Sequence, residues 1–426
     1  MRMNLGDKYV DKIVKEFPII KDSVDFCSYW FYKAHNQIGN NGRAGLVGTN
    51  TVSQGLTRRA SLEYIVENGG YIHEAVSTQP WSGEAKVHVS IINWSKKIPE
   101  LCYLDNQNVS SINSSLTSEI SVAKAYKISK NSELSFIGVQ PTGIGFIVSN
   151  EQVVSWIKLD NKNKDVLKLF SMGGNLVDNP NGEPDRWIID FDSLSLEDSQ
   201  EYSVPFDHIK KFVKPDRDGN RDPHARNHWW RFLRHRPKMR VAISSLSCYF
   251  VVPRVSKWAT FIPASIEWLP GDLNVVVPSD DFYVLGVLTS NVHRTWVKAQ
   301  SSTLEDRTRY TPSTCFETFP FPQTPTQKQI DAIRKTAVDL HEYRSVQMEK
   351  KQWGITKLYN EYFNEPASQL AKLHKMLDDL VLKAYGFSKT DDLLEKLLAL
   401  NLEVAEKEKN GESAIGPWAP DDPPKK

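Results

Sequence analysis

Apolar residues recur every three or four positions between Val24 and Ile38, so that Cys27, Trp30, Phe31, Ala34 and Ile38 would share one stripe of an amphipathic helix. The next run, AGLVGTN, is short and apolar and closes in a Thr-Asn turn; it predicts a strand buried on both faces in the middle of an α/β sheet. In LTRRASLEYIVENGG, Leu62, Ile65 and Val66 predict a helix face, and Gly69 and Gly70 its end. YIHEAV and VHVSIINW predict two further strands. Helix, strand, helix, strand, strand is the back half of an open α/β sheet, and its front half is missing from the pattern.

Residues 96–130, rich in Ser and Asn, read as a linker followed by weak strand signals. From about Leu134 the texture changes to short aromatic and β-branched runs, SFIGV, GFIV and RWIIDF, divided by Gly, Pro and Asn turns. These predict a mainly β domain over 131–322 with helical insertions. It closes at ETFPFPQ, where Thr324 is predicted to cap a helix with Pro325 first and Gln327 as capping-box partner. IDAIRKTAVDL, SQLAKLHKMLDDLVLKAYG and DDLLEKLLALNLEVAEKEK then repeat apolar residues at helical spacing, with Gly386 as a C-cap, and predict a helical domain over 323–409. The Pro-, Asp- and Lys-rich tail, 410–426, is expected to be disordered.

The composition is that of a folded globular protein, with 40% hydrophobic and 25% charged residues in a chain of 426. The N-terminal residues lack the apolar run of a signal peptide, and the apolar segments are too short and too charged to cross a membrane. Cys27, Cys102, Cys248 and Cys315 stand far apart, which argues against a zinc site or a disulfide framework and fits a reducing cytoplasm. No histidine joins an acid or a cysteine at metal-ligand spacing.

Two local features outweigh the net charge of +1. Lys210 to Arg240 carries eleven Lys and Arg against three Asp, a local +8, interleaved with Trp229, Trp230 and Phe232. The stretch is either a solvated basic loop around two core tryptophans or a basic fringe on a rigid wall. In the second case Arg231, Arg234 and Arg236, joined by Lys298, would contact phosphates. Further on, Glu305 and Arg307 stand two apart and would point to one side of an extended segment. A carboxylate accepts from cytosine N4 and a guanidinium donates to guanine O6 and N7, so such a pair suits a C·G base pair; it equally suits an exposed salt bridge. TGIGF, at Thr142 to Phe146, runs into another strand-like stretch and reads as a β-turn, not a phosphate cradle. Glu84-Ala85-Lys86 has only Asp25, on the predicted helix, as an upstream acid and makes no nuclease site.

Taken together the segments resemble the carboxy-terminal half of an MmeI-like (type IIG/IIL) adenine-specific DNA methyltransferase, from Leu5 to about Gly386. LGDKYVDKI and VDFCSYWFYKAHNQI resemble the region following the family's catalytic motif, and GRAGLVGTNTVSQG and WSGEAKVHVSIINW its later catalytic-domain strands. FIGVQPTGIGFIV, RWIIDFDSL, HWWRFLRHRPKMR and RYTPSTCFETFPFPQ resemble the recognition domain and its exit, and KAYGF the helical end. The implied fold is α/β plus mixed. It comprises a partial Rossmann-like methyltransferase sheet over 1–95, a mainly β target recognition domain and an α-helical carboxy-terminal domain. The family's S-adenosylmethionine loop and Asn-Pro-Pro-aromatic motif precede LGDKYVDKI. The resemblance therefore implies no catalytic residue and no bound cofactor in this chain alone, with S-adenosylmethionine serving the complete enzyme and an amino-terminal fragment as partner beside double-stranded DNA. It implies that Glu305 and Arg307 read one base pair, which a Lys-x-Asp pair at the same positions would invert, and that Arg309 meets a phosphate or holds the loop. Trp81 would line the target-base pocket or serve as a buried structural residue. The alternatives are a stand-alone DNA-binding specificity module or a non-functional gene fragment.

Overall fold

The structure is a computed structural model that describes residues 5–17, 24–85, 87–118, 125–304 and 307–419. The chain divides into two compact units, Met1–Lys124 with Gln300–Asp306, and Ala125–Ala299 with Arg307–Lys426. In the first unit five strands, β1 (Arg43–Thr49), β2 (Tyr71–Pro80), β3 (His88–Ser95), β4 (Cys102–Leu104) and β5 (Gln107–Val109), form one sheet in the order β1-β3-β2-β4-β5. β3 is antiparallel to both neighbours, with Leu46 opposite Ile92 on one side and Ala75 opposite Ile92 on the other, while β2 and β4 run parallel. Phe31, Leu62, Ile65, Ile92 and Trp94 form the core on one face.

Several sequence expectations shift here. The AGLVGTN strand is an edge strand buried on one face only: Gly48 packs inward, where an added Cβ would meet Val52 and Phe31, while Val47 is exposed. Its Thr-Asn turn is held by Asp25, whose carboxylate accepts from Thr49 and Thr51. The helix before it spans Ser28–Gln37, and Trp30 faces outward under the Lys33 ammonium instead of joining the core stripe. The helix after it winds as α over Gly55–Arg58, as π over Arg59–Glu63 and as α again over Tyr64–Glu67, so Leu62 and Ile65 are buried and Val66 is exposed. The extra residue in the π turn rotates the face that a regular helix would present. The expected linker 96–130 contributes β4 and β5 to the sheet.

The second unit holds β6 (Phe136–Ile137), β7 (Ile147–Val148), β8 (Leu167–Ser171), β9 (Trp187–Ile189), β10 (Cys248–Pro253), β11 (Val255–Ser256), β12 (Ile262–Ser265), β13 (Trp268–Pro270) and β14 (Asn274–Val277). β16 (Arg307–Arg309) follows in this unit, while β15 (Ser302–Leu304) lies in the first. One sheet runs β12-β10-β14-β6 and another β13-β8-β9-β7. Asn274, fully buried, links them by donating to the Ser171 carbonyl, and the Val139 amide donates to Pro270. β10 and β14 are buried on both faces because the apolar helix Phe282–Thr289 lies near them, Phe282 meeting Phe250 edge to face. Helix Gln327–Lys351 packs so closely on Phe282–Thr289 that a Cβ on Gly286 would lie 2.6 Å from Ile333. The helical region 323–409 thus belongs to the same compact unit as the strands.

That long helix starts two residues later than predicted. Thr326 is the N-cap and Gln329 its capping-box partner, so of two overlapping Thr-x-x-Gln frames the second is used. Gly386 is the left-handed C-cap, at φ 70°. The expected disordered tail is packed over its described part. Ala414 and Ala419 are buried, and Gln323 exchanges two hydrogen bonds with the Ile415 backbone.

Candidate nucleic-acid interface

The eleven cations of Lys210 to Arg240 are sorted by their partners. Arg217 is buried, donating to the Pro141 carbonyl at 2.6 Å beneath the Phe146 ring, and burial lowers its pKa. Arg240 forks onto the buried Asp190 at 2.8 and 3.1 Å, Arg226 donates to the Asn220 carbonyl, Lys214 pairs with Asp218, and Lys238 with Glu133. Arg231 donates to the Ser193 and Leu194 carbonyls and lies over Trp230, itself buried with Trp229 as expected. Arg231 is therefore a loop tether. Lys210, Lys211, Arg221 and Arg234 remain exposed.

Arg234 and Arg236 are set by the local backbone. Arg234 exchanges both backbone hydrogen bonds with Gln140, at 2.9 and 3.2 Å. Arg236 has a left-handed backbone, φ 57°, and precedes Pro237, the first residue of helix Pro237–Ile243. Its Nε donates to the Gly138 carbonyl at 3.2 Å. Arg236 titrates below its ordinary value, first because it is half-buried and then because Arg234 and Arg254 face it, with Asp272 opposing.

Arg254 enters the site from the join of β10 and β11. Its amide donates to Leu273, its carbonyl accepts from Tyr310, and its guanidinium donates to the Asp272 carbonyl at 3.0 Å. Burial and then Arg309 push its pKa down. β16 pairs antiparallel with β11, Arg309 opposite Val255, and Arg307 and Arg309 are exposed two residues apart on one side of the strand. The next residue, Tyr310, is fully buried with its hydroxyl 3.1 Å from His293 Nε2, among Phe261 and Phe319. Arg234 and Arg254 thus face Arg236, and Arg309 faces Arg254, a chain of like charges whose last member precedes the buried Tyr310. Like charges held together in this way favour an anion. The sequence reading missed Arg254; the VPRVS context offers no charge run, and only the β11 to β16 pairing brings it to Arg309.

Glu305 lies outside the described residues, so its position beside Arg307 is not seen. Lys298 is exposed on helix Asn291–Gln300, whose other face buries His293 and Trp296. Trp81, in the other unit, follows β2 with its indole against Gly83 and is 46% exposed, not a buried structural residue. Among the described residues no group of His, Cys, Asp or Glu is placed to hold a metal ion, and no helix is long and apolar enough to cross a membrane.

The arrangement is that of a mixed α/β protein, an α/β unit followed by a β-rich unit with a helical end. Residues 5–104 match the MmeI DNA-methyltransferase domain and residues 117–323 the MmeI target recognition domain; the chain belongs to this MmeI-like family. It is 25% identical over 407 residues to DNA methyltransferase A of Bacillus subtilis (strain 168), covering 90% of this chain and 44% of that protein. The fold is similar to that of the type IIL restriction-modification enzyme MmeI in complex with DNA, with a TM-score of 0.77 at 21% identity, over 94% of this chain and 55% of that one. The chain thus spans about half the length of these relatives.

Proposed function

We propose that this chain is the sequence-specific DNA-recognition portion of a site-specific adenine-N6 DNA methyltransferase of a restriction-modification system, acting in the cytoplasm on double-stranded DNA. The observation that carries the reading is the fixed cluster of Arg234, Arg236, Arg254 and Arg309 within the region matching a target recognition domain. Arg234, Arg309 and Lys298 supply phosphate contacts, which fix register without reading sequence. Glu305 and Arg307 read one C·G pair, the guanidinium on guanine and the carboxylate on cytosine. Trp81, exposed in the methyltransferase-type unit, is offered to the target base.

S-adenosylmethionine would supply the methyl group in the complete enzyme. Gly48 and Gly70 form no cradle for it, since the space at Gly48 is filled by Val52 and Phe31 and that at Gly70 by Ile65 and His35, and the open Gly39, Gly55 and Gly69 do not directly follow a strand as a phosphate-binding turn would. The described residues therefore do not fit a whole cofactor site. The remainder would come from other residues, in the same polypeptide or in a separate amino-terminal fragment. The lack of fit also suits the second reading, a specificity module without catalysis. A tritiated-methyl transfer assay with and without a complementing amino-terminal fragment separates the two: transfer only in the mixture supports the enzyme reading.

Selection of bound sites from random duplexes tests recognition itself. Replacing Glu305→Lys together with Arg307→Asp is expected to invert one C·G position to G·C, and each single change to cost about 1–3 kcal/mol without a new preference. An unaltered consensus after the double change would show that the pair does not read a base.

A further inference from the structure

The loop between β6 and β7 carries a feature that recognition by arginines leaves unexplained. Ile144 is 89% exposed, more than any other large apolar side chain among the described residues. It is held there by construction. Thr142 at φ 52° and Gly143 at φ 150° turn the chain through the left-handed region, a costly conformation for threonine. On the far side Gly145 seats against the backbone of Phe212, where an added Cβ would lie 2.8 Å from the Phe212 carbonyl oxygen, and Phe146 is fully buried edge to face with Phe232. On the near side Gln140 is paired with Arg234, the buried Arg217 holds the Pro141 carbonyl, and Arg236 holds Gly138. Both ends of the loop are fixed, and the isoleucine projects beside the exposed Thr142.

Two lysines stand at the base of the loop. Phe212, half exposed at the end of helix Ser203–Phe212, lies beside Gly145, with the Lys211 ammonium over its ring at 5.1 Å and Lys210 exposed next to it. The loop begins at the arginine cluster and ends at these lysines. An apolar point fringed by cations and continuous with a phosphate-binding surface matches the chemistry of stacked bases between two phosphate backbones.

We propose that Ile144 is a wedge that enters DNA between two stacked base pairs, with Lys210 and Lys211 holding the flanking phosphates. The proposal rests on the reading of this chain as a DNA-recognition protein. An apolar side chain inserted at a step unstacks it and kinks the duplex, and the cost is offset by contacts that the bent DNA permits.

The test uses the full chain and a duplex from the site selection, carrying 2-aminopurine at each position in turn. This base brightens when it is unstacked. Binding is expected to brighten one step several-fold. Ile144→Ser should abolish that signal while weakening affinity less than about tenfold, because the phosphate contacts and hence the salt slope persist. Ile144→Phe should retain the brightening, and thermal melts of both variants should match the parent. Brightening unchanged in Ile144→Ser, or lost equally in Ile144→Phe, would overturn the wedge and leave the recognition reading intact. Failure of the parent chain to bind any duplex would sink that reading and the wedge with it. If Ile144→Ser instead lost binding to phosphatidylserine vesicles with the DNA signal unchanged, the tip would belong to a membrane contact and the wedge would fall.

Discussion

Arg231 and Arg234 stand three residues apart in one basic stretch, and the structure gives them different work. Arg231 spends its donors on two backbone carbonyls; Arg231→Ala is expected to cost about 1–3 kcal/mol of stability in urea unfolding, with little change in the salt dependence of DNA binding. Arg234→Ala should leave unfolding unchanged and flatten the slope of log K against log salt by about one unit, as one phosphate contact is lost. Beside Tyr310, burial lowers the pKa of His293 from 6.5 to about 3, and on helix Gln327–Lys351 that of His341 to about 4. Unfolded chains take up these protons near pH 6.5 and the folded chain does not, so the stabilisation is complete above pH 6.5 and is lost as pH falls towards 3. Each such proton sets a limiting slope of about 1.4 kcal/mol per pH unit within its window. Urea titrations between pH 7 and 4 should show it, and His293→Gln should remove its share.

Among the elements, the legible ones were those whose side chains alone decide their place. The heptad-like runs of the helical region and the Gly386 cap appear where the pattern puts them, because helix faces and a left-handed glycine are local properties. The AGLVGTN strand was misplaced because two of its inward or outward positions are glycines, which hide the alternation that marks a one-sided strand. The π turn at Arg59–Glu63 leaves no mark in composition. At the site, Arg234 and Arg236 were legible from charge, whereas Arg254 depends on a strand pairing far along the chain. The choice of Thr326 as N-cap gives a direct check: Thr326→Ala is expected to cost about 1 kcal/mol, and Thr324→Ala far less, by urea unfolding.

For the molecule as a whole, the same sheet order has a consequence for handling. β1 pairs only with β3 among the described residues, and Val47 is exposed on it. Unpaired strand edges with apolar side chains template association. The chain alone is expected to self-associate with rising concentration in sedimentation velocity, and Val47→Lys to suppress it; a monodisperse monomer at all concentrations would contradict this. β16 shows the opposite economy. Its pairing with β11 and the amide of Tyr310 on the Arg254 carbonyl fix the backbone, while Arg307 and Arg309 face outward. Both side chains are exposed, so the strand's backbone is held independently of what they reach. Side chains displayed on a backbone fixed in this way can be exchanged while the scaffold beneath them stays as it is.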